Sequence, residues 1–267
     1  MMCVLALASL VQISAANAQT PVKNTQEVRY TACLAQARTR SADAFDEAAR
    51  WHDDGGGLPS RHCAAIALIN LGQPSEAAAR LSELARAPGS ASAQLRADLF
   101  AQAGNAWLLG GISSEAVNRF TDALKLTPDE PQILTDRARA YVMLGQLADA
   151  GQDLNRSITV APNYIEAYVV RAGLRRKAGD MALAREDITK ALKLDPNHSQ
   201  ALLERGIERQ IDGDRQGARA DWLKVIANAA QSKKDPEDEI EESETLSEAR
   251  RYLEALDVKG AAGAPKP

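Results

Sequence analysis

The sequence predicts an all-α fold: a solenoid of stacked helical hairpins closed by a C-terminal capping helix. A glycine followed five residues later by an alanine recurs every 34 residues, as Gly111/Ala116, Gly145/Ala150, Gly179/Ala184 and Gly213/Ala218. Three prolines, Pro128, Pro162 and Pro196, keep the same step. Between these marks apolar residues recur at helical spacing. A fixed period of this length marks a repeated supersecondary unit. One such unit cannot bury its own apolar face, so neighbours must stack, and stacking leaves a long curved surface open. The pattern points to binding ahead of catalysis.

With the proline at position 32, the regular units are 97–130, 131–164, 165–198 and 199–232. In the first, Phe100, Ala103, Gly104 and Trp107 follow i, i+3, i+4, i+7 spacing and mark the buried face of a first helix. Gly111 closes the turn. Ala116, Phe120 and Ala123 mark the inner face of a second helix, and Pro128 ends the unit because it lacks an N–H and disfavours helical geometry just before it. Small residues at Gly104 and Ala138, opposite Ala116 and Ala150, are expected to let backbones approach closely. Leu134, Tyr141 and Leu154, then Tyr168, Ala172, Ile188 and Ala191, then Leu202, Gly206 and Trp222 continue the scheme. The last unit has Ala230 in place of proline.

These positions resemble the tetratricopeptide repeat, whose sequence of large, small, aromatic, alanine, large, alanine and proline is matched by Phe100, Gly104, Trp107, Ala116, Phe120, Ala123 and Pro128. The resemblance implies a right-handed superhelix, here of an exported bacterial type. Two departures stand out. Position 7, usually leucine, is Ala103, Arg137, Arg171 and Arg205, and the aromatic of position 11 becomes Arg175 and Arg209 in the last two units.

The resemblance also implies that positions 2, 5, 9, 12 and 13 of each first helix line a concave groove. The residues expected to contact a protein or peptide there are Asn105, Leu108, Arg139, Val142, Met143, Arg176 and Lys177, with Thr135, Val169 and Leu203 also in the lining. The basic centre of Arg139, Arg176 and Lys177 suits carboxylates of an extended or helical peptide. A solvated helix face is the plainer alternative. Families that grip a C-terminal carboxylate use a lysine, asparagine and arginine set of which only Asn105 is present, so that clamp is not expected.

Arg137, Arg171 and Arg205 recur in step with Asp153, Asp187 and Asp221 at position 23. Each pair is expected to join facing helices as a structural ion pair, since arginine suits bidentate carboxylate contacts.

Upstream, residues 25–91 read as two degenerate hairpins. The first carries Ala32, Ala35, Ala44, Ala48 and Trp51 and ends in the breaker Asp53-Asp54-Gly55-Gly56-Gly57; the second, from about 58, carries Ala65, Leu68, Gly72, Ala77 and Leu81. Downstream, Asp235-Pro236-Glu237-Asp238 reads as a helix start, and Leu246, Ala249, Leu253 and Leu256 share one face. A capping helix is therefore expected over 235–257, followed by a disordered tail over 258–267. The acids from Asp235 to Glu244 are better explained by the helix dipole than by self-inhibition of the basic groove.

Residues 1–18 read as a signal peptide, with an apolar run from Val4 to Val11 and a small-x-small site ending at Ala18. Export is expected, to the periplasm if the source is Gram-negative. The run is too short to span a bilayer, and no later stretch approaches the necessary length. A net charge of −4 gives no reason to expect nucleic acid. Cleavage removes Cys3 and leaves Cys33 and Cys63, an even pair where disulfides persist. They fall on the first helices of consecutive units, so a bridge is expected. The competing reading is a metal- or thiol-dependent centre at Cys33, His52, His62 and Cys63. It lacks a CxxC or HxxxH pair, and no third group is placed to orient a nucleophile. A third reading is a structural homo-oligomer. No cofactor and no catalytic constellation are expected, and the oligomeric state stays open.

Overall fold

The structure, a computed structural model, describes residues 25–87, 92–231 and 243–262. The expected leader over 1–18 and the expected helix start at Asp235 lie outside the described residues. Among the described residues there are thirteen helices and no strand. Six hairpins follow one another: α1 (Thr25–Thr39) with α2 (Ser41–Asp53), α3 (Gly57–Asn70) with α4 (Pro74–Arg86), α5 (Ala93–Leu109) with α6 (Ser113–Leu126), α7 (Pro131–Met143) with α8 (Leu147–Val160), α9 (Ile165–Ala178) with α10 (Met181–Leu194), and α11 (Ser199–Ile211) with α12 (Arg215–Gln231). A single helix, α13 (Glu244–Ala262), closes the stack.

Each helix packs on the next in chain order, and the first helices of successive hairpins also touch, as α1 on α3, α5 on α7, α7 on α9 and α9 on α11. Second helices make no comparable contact with one another. The stack therefore curves with its first helices inside and its second helices outside, which gives a helical solenoid with a concave face.

The turn inside each regular hairpin rests on its glycine. Gly111, Gly145, Gly179 and Gly213 have φ of 74°, 75°, 91° and 86°, a conformation glycine reaches without a Cβ penalty. The unit ends depend on proline. Helices α6, α8 and α10 stop just before Pro128, Pro162 and Pro196, whereas α12 runs on to Gln231 because Ala230 replaces the breaker.

The core adds a contact that the pairing of small residues did not include: the ring of Phe120 lies over Gly104, and a methyl added at Gly104 would come within 2.6 Å of that ring. Gly206 stands in the same relation to Trp222. Where the large residue is aliphatic, at Leu154 and Ile188, the small one is Ala138 and Ala172, and all four are buried. Glycine thus appears where the opposing side chain is a ring and alanine where it is branched. This local size exchange keeps interior density constant.

Two element ends also differ from expectation. Helix α5 begins at Ala93, where the Ser92 side chain accepts the Leu95 amide at 3.2 Å. Helix α13 begins at Glu244, capped by Ser243 accepting from the Leu246 amide, and continues to Ala262 through residues read as the start of a tail. Its Leu246, Ala249, Leu253 and Leu256 are buried, and Tyr252 stacks on Trp222 with centroids 5.1 Å apart. Packing against the open end of the last hairpin is what extends the helix.

Gly104→Ala should lower stability by about 1–3 kcal/mol through overpacking against Phe120, despite alanine's higher helix propensity. Adding Phe120→Leu should recover part of that loss. Urea unfolding followed by circular dichroism checks both; a stabilised Gly104→Ala single variant would contradict the ring-over-glycine account.

Candidate functional site

The charged residues sort into those held in seams between helices and those facing the groove. In the seam between the two helices of a hairpin, Arg137 donates to both oxygens of Asp153 at 2.7 Å. Arg171 meets Asp187 at 2.9 and 2.7 Å, and Arg205 meets Asp221 at the same two distances. Arg137 and Arg171 also reach back to the preceding hairpin, donating to the Thr121 hydroxyl and the Asn155 carbonyl oxygen. Burial opposes the charge on Arg137, yet the Asp153 carboxylate outweighs it and raises the guanidinium above its ordinary value. In the first regular unit, with Ala103 at position 7, Arg119 takes the aspartate's place and turns to Asp122 at 2.8 Å.

Sequence reasoning missed a second arginine on each later carboxylate. Arg175 reaches Asp187 at 2.7 Å and Arg209 reaches Asp221 at 2.8 Å, and each also donates to a backbone carbonyl, of Leu183 and Gly217. The signal was the loss of the aromatic at position 11 in exactly these two units. Asp187 and Asp221 have side chains only 4% exposed, so their charges depend on these partners.

At the N-terminal end, Cys33 and Cys63 form a disulfide between α1 and α3, with Cα atoms 6.2 Å apart. Beside it, His62 is buried, with Nε2 2.6 Å from Gln102 Oε1 and Nδ1 2.8 Å from the Tyr30 hydroxyl. With the Gln102 oxygen accepting, Nε2 carries the proton and Nδ1 accepts from Tyr30, so one ring ties α1 and α5 to α3. Burial lowers the His62 pKa, partly offset by the Gln102 hydrogen bond. His52 is elsewhere: it is exposed on α2 and lines an outer cleft of about 480 Å³ with Asp53, Arg61, Glu76 and Arg80. The two sulfurs are used on each other, and the four residues of the metal or thiol reading are not gathered into one site. Among the described residues no group of three or more His, Cys, Asp or Glu is placed to hold a metal.

The concave face is more acidic than its family positions suggested. Arg139 pairs with Asp136 at 2.5 Å, and Asn105 donates to the other oxygen of Asp136 at 3.4 Å. Arg176 pairs with Glu204 at 3.0 Å. Lys177 is exposed and forms no ion pair among the described residues. Leu108 and Val142 are half-buried, and Met143 is exposed with its sulfur accepting from the Ser113 hydroxyl. Thr135, Val169 and Leu203 belong to the interior; the Thr135 hydroxyl lies between Ser157 and the Pro131 carbonyl. Position 5 therefore packs inward, and position 6, with Asp136 and Glu204, supplies acids to the face. Burial raises the Asp136 pKa, against the pull of Arg139, and pushes Tyr164 up to about 12, with the carboxylates of Glu166 and Asp136 adding to the shift.

A hairpin stack with this turn glycine, this terminal proline and this size exchange has a match. The family model described as tetratricopeptide repeat matches residues 165–198. The chain carries tetratricopeptide repeats. It is 32% identical over 69 residues to the heat shock protein sti1 homolog of Schizosaccharomyces pombe, covering 26% of this chain and 12% of that protein. It is 31% identical over 97 residues to the heat-shock protein cognate co-chaperone sgt12 of Aspergillus fumigatus, covering 36% of this chain and 28% of that one. The match thus spans about an eighth of the first relative and little more than a quarter of the second. A solved tetratricopeptide repeat protein from Parabacteroides merdae shares the fold with a TM-score of 0.54 at 21% identity, over 77% of this chain and 75% of its own.

Within the tetratricopeptide frame, the arginine at position 7 replaces an apolar contact with a buried ion pair, and its removal tests that exchange. Arg137→Met should cost about 3–5 kcal/mol because Asp153 is left without its arginine, while Arg171→Met should cost less, since Arg175 still holds Asp187. Thermal unfolding of the two variants checks the order. His62 gives a pH signature. Its folded pKa lies below the unfolded value, so the unfolded chain binds more protons as pH falls below about 6.5, and stability is lost on acidification through that window. His62→Gln should flatten the midpoint-versus-pH curve there; an unchanged slope would remove His62 as its source.

Proposed function

We propose that this protein is a non-catalytic scaffold that docks a protein or peptide partner on the concave face of its repeats. The carrying observation is the continuous inner face of α5, α7, α9 and α11, on which Asn105, Leu108, Arg139, Val142, Met143, Arg176 and Lys177 retain accessible surface while the other large charged pairs are held in seams. Such a groove suits an extended or helical segment. The two curated relatives, a heat shock protein homolog and a co-chaperone, support a protein-binding role for the repeats they share with this chain.

The scaffold is proposed to act after export, in the periplasm if the source is Gram-negative, as part of an envelope assembly. The leader-like residues 1–18 and the disulfide between Cys33 and Cys63 support this, because such bonds persist in oxidising compartments. Among the described residues no helix is long and apolar enough to cross a membrane. The small negative net charge supports a protein partner over nucleic acid.

Crosslinking and affinity capture from the envelope fraction tests the docking face. Asn105→Trp combined with Gln210→Trp, the latter at groove position 12 of the unit 199–232, should obstruct the groove without favouring either sign of charge, and should abolish capture of a partner that wild type and the control Lys190→Trp, exposed on the second helix α10, retain. Equal capture by all three proteins would move the binding surface off the concave face.

A further inference from the structure

The hairpins stack first helix beside first helix, so the turns inside them share one edge of the solenoid. Three consecutive turns on that edge carry no charge. Residues 69–75, 107–114 and 141–148 contain no Asp, Glu, Lys or Arg, in a chain that is 25% charged. The three touch in order: a Cβ on Gly110 would meet the Ser75 hydroxyl at 2.7 Å, and the Ser113 hydroxyl donates to the Met143 sulfur. Leu71, Leu109, Ile112, Met143 and Leu144 stand exposed there, Leu109 by 68% and Met143 by 60%. Large apolar side chains scattered singly over a surface need no explanation, but five gathered on adjoining turns mark an interaction surface.

The charges on either side of this patch differ in sign. Before it, the turn of the first hairpin carries Arg38 and Arg40, both exposed, and abuts the patch through Asn70, which donates to the Ala37 carbonyl at 3.1 Å. Arg40 has Asp43 at 3.7 Å on its own helix. After the patch, the next two turns carry Asp180, Asp212 and Asp214, all exposed. Of the cations on that side, Arg185 holds Asp212, Arg215 donates to the Leu256 carbonyl, and Lys177 is exposed in the last turn of α9. Glu76 and Glu115, which follow the uncharged turns, point along their helices to Arg80 and Arg119, and Asp149 lies in the field of Arg137.

This arrangement selects among occupants. An anionic bilayer surface would find no cation in the three turns. A second copy finds its complement. Across a two-fold axis, residues near the axis meet their own counterparts, so a charged centre repels itself and a neutral apolar centre does not. With the axis at the middle turn, residues 70–75 of one copy face 143–148 of the other, and the Arg40 turn of each copy faces the Asp180 turn of its partner.

We propose that this edge pairs two copies of the chain in antiparallel register, with Leu109 near the axis and Arg40 beside Asp180 of the second copy at both ends. Three turns make a small interface, so the pairing is reversible and depends on concentration. The concave face stays open in the pair, and the inference does not rest on the docking reading above.

Sedimentation equilibrium of the purified protein over a concentration series tests the pairing, with circular dichroism to confirm that each variant is folded. Wild type should pass from monomer to dimer. Leu109→Glu, which sets two like charges near the axis, should raise the dissociation constant at least about tenfold, while Val160→Glu, at the exposed end of α8, should not change it. Arg40→Asp and Asp180→Lys should each weaken the dimer by about tenfold, because each contact occurs twice, and the two together should restore it. A protein that stays monomeric up to about 0.5 mM, a dimer indifferent to Leu109→Glu, or a double exchange that restores nothing overturns the inference. If the monomer instead floats with phosphatidylcholine vesicles and Leu109→Glu releases it, the edge belongs to a lipid surface and the second-copy assignment falls. Asn105→Trp with Gln210→Trp should leave the dimer intact, so the docking reading and this one fail separately; loss of the dimer in that variant would place the contact in the groove and overturn the edge.

Discussion

Every hairpin here has more apolar surface than its own two helices can cover, so each one depends on the next for part of its interior. That dependence fixes the rest of the architecture. The second helix of each unit must end on time for the following first helix to dock, which places proline at the unit boundary and glycine in the turn. Along the inner side the first helices meet one another, and the curvature follows from that asymmetry of contact. At the C-terminal end no further hairpin arrives; α12 lacks its proline and runs long, and α13 supplies the missing cover through Leu246, Ala249, Leu253 and Leu256.

Within this frame the chain varies two kinds of contact. Across each hairpin the apolar fit is conserved in volume, with glycine under a ring and alanine under a branched chain. Beside it runs a polar seam in which an arginine replaces the usual apolar residue and needs an aspartate on the facing helix. Such pairs add little net stability relative to apolar residues of similar size, but they penalise misalignment strongly, because a shifted helix would strand a buried carboxylate. The seam thereby fixes the registry of helices whose small core residues alone would tolerate sliding.

The features legible in the sequence are those that repeat. Glycine, alanine and proline spacing gives the hairpins, and the constant separation of Arg137 from Asp153, kept at Arg171 and Arg205, exhibits the seam. What repetition cannot express is geometry specific to one unit. The second arginines at 175 and 209 occur only where the aromatic is lost, and their destination depends on how a long side chain crosses between helices. Phe120 over Gly104 depends on helix rotation, which spacing leaves undetermined. The acids of the groove stand at position 6, as Asp136 and Glu204, outside the positions that the family resemblance selects. The Asp136 and Arg139 pair, three residues apart on one helix, was the part of this that local spacing alone could have revealed.

The tie made by Tyr30, His62 and Gln102 has a consequence for how the stack comes apart. In a solenoid whose units feel only their neighbours, opening proceeds by fraying from whichever end is weaker. Here the first end is cross-braced: a covalent bond joins α1 to α3, and the imidazole extends that connection to α5. Those two hairpins, the least regular by repeat pattern, are thus joined to the first regular one in a single cooperative block. Among the described residues the opposite end is held without a covalent bond, by side-chain packing, ion pairs and the donation of Arg215 to the Leu256 carbonyl. Fraying is accordingly directed, beginning at α13 and advancing toward the braced end, so the α11 side of the groove opens before its α5 side.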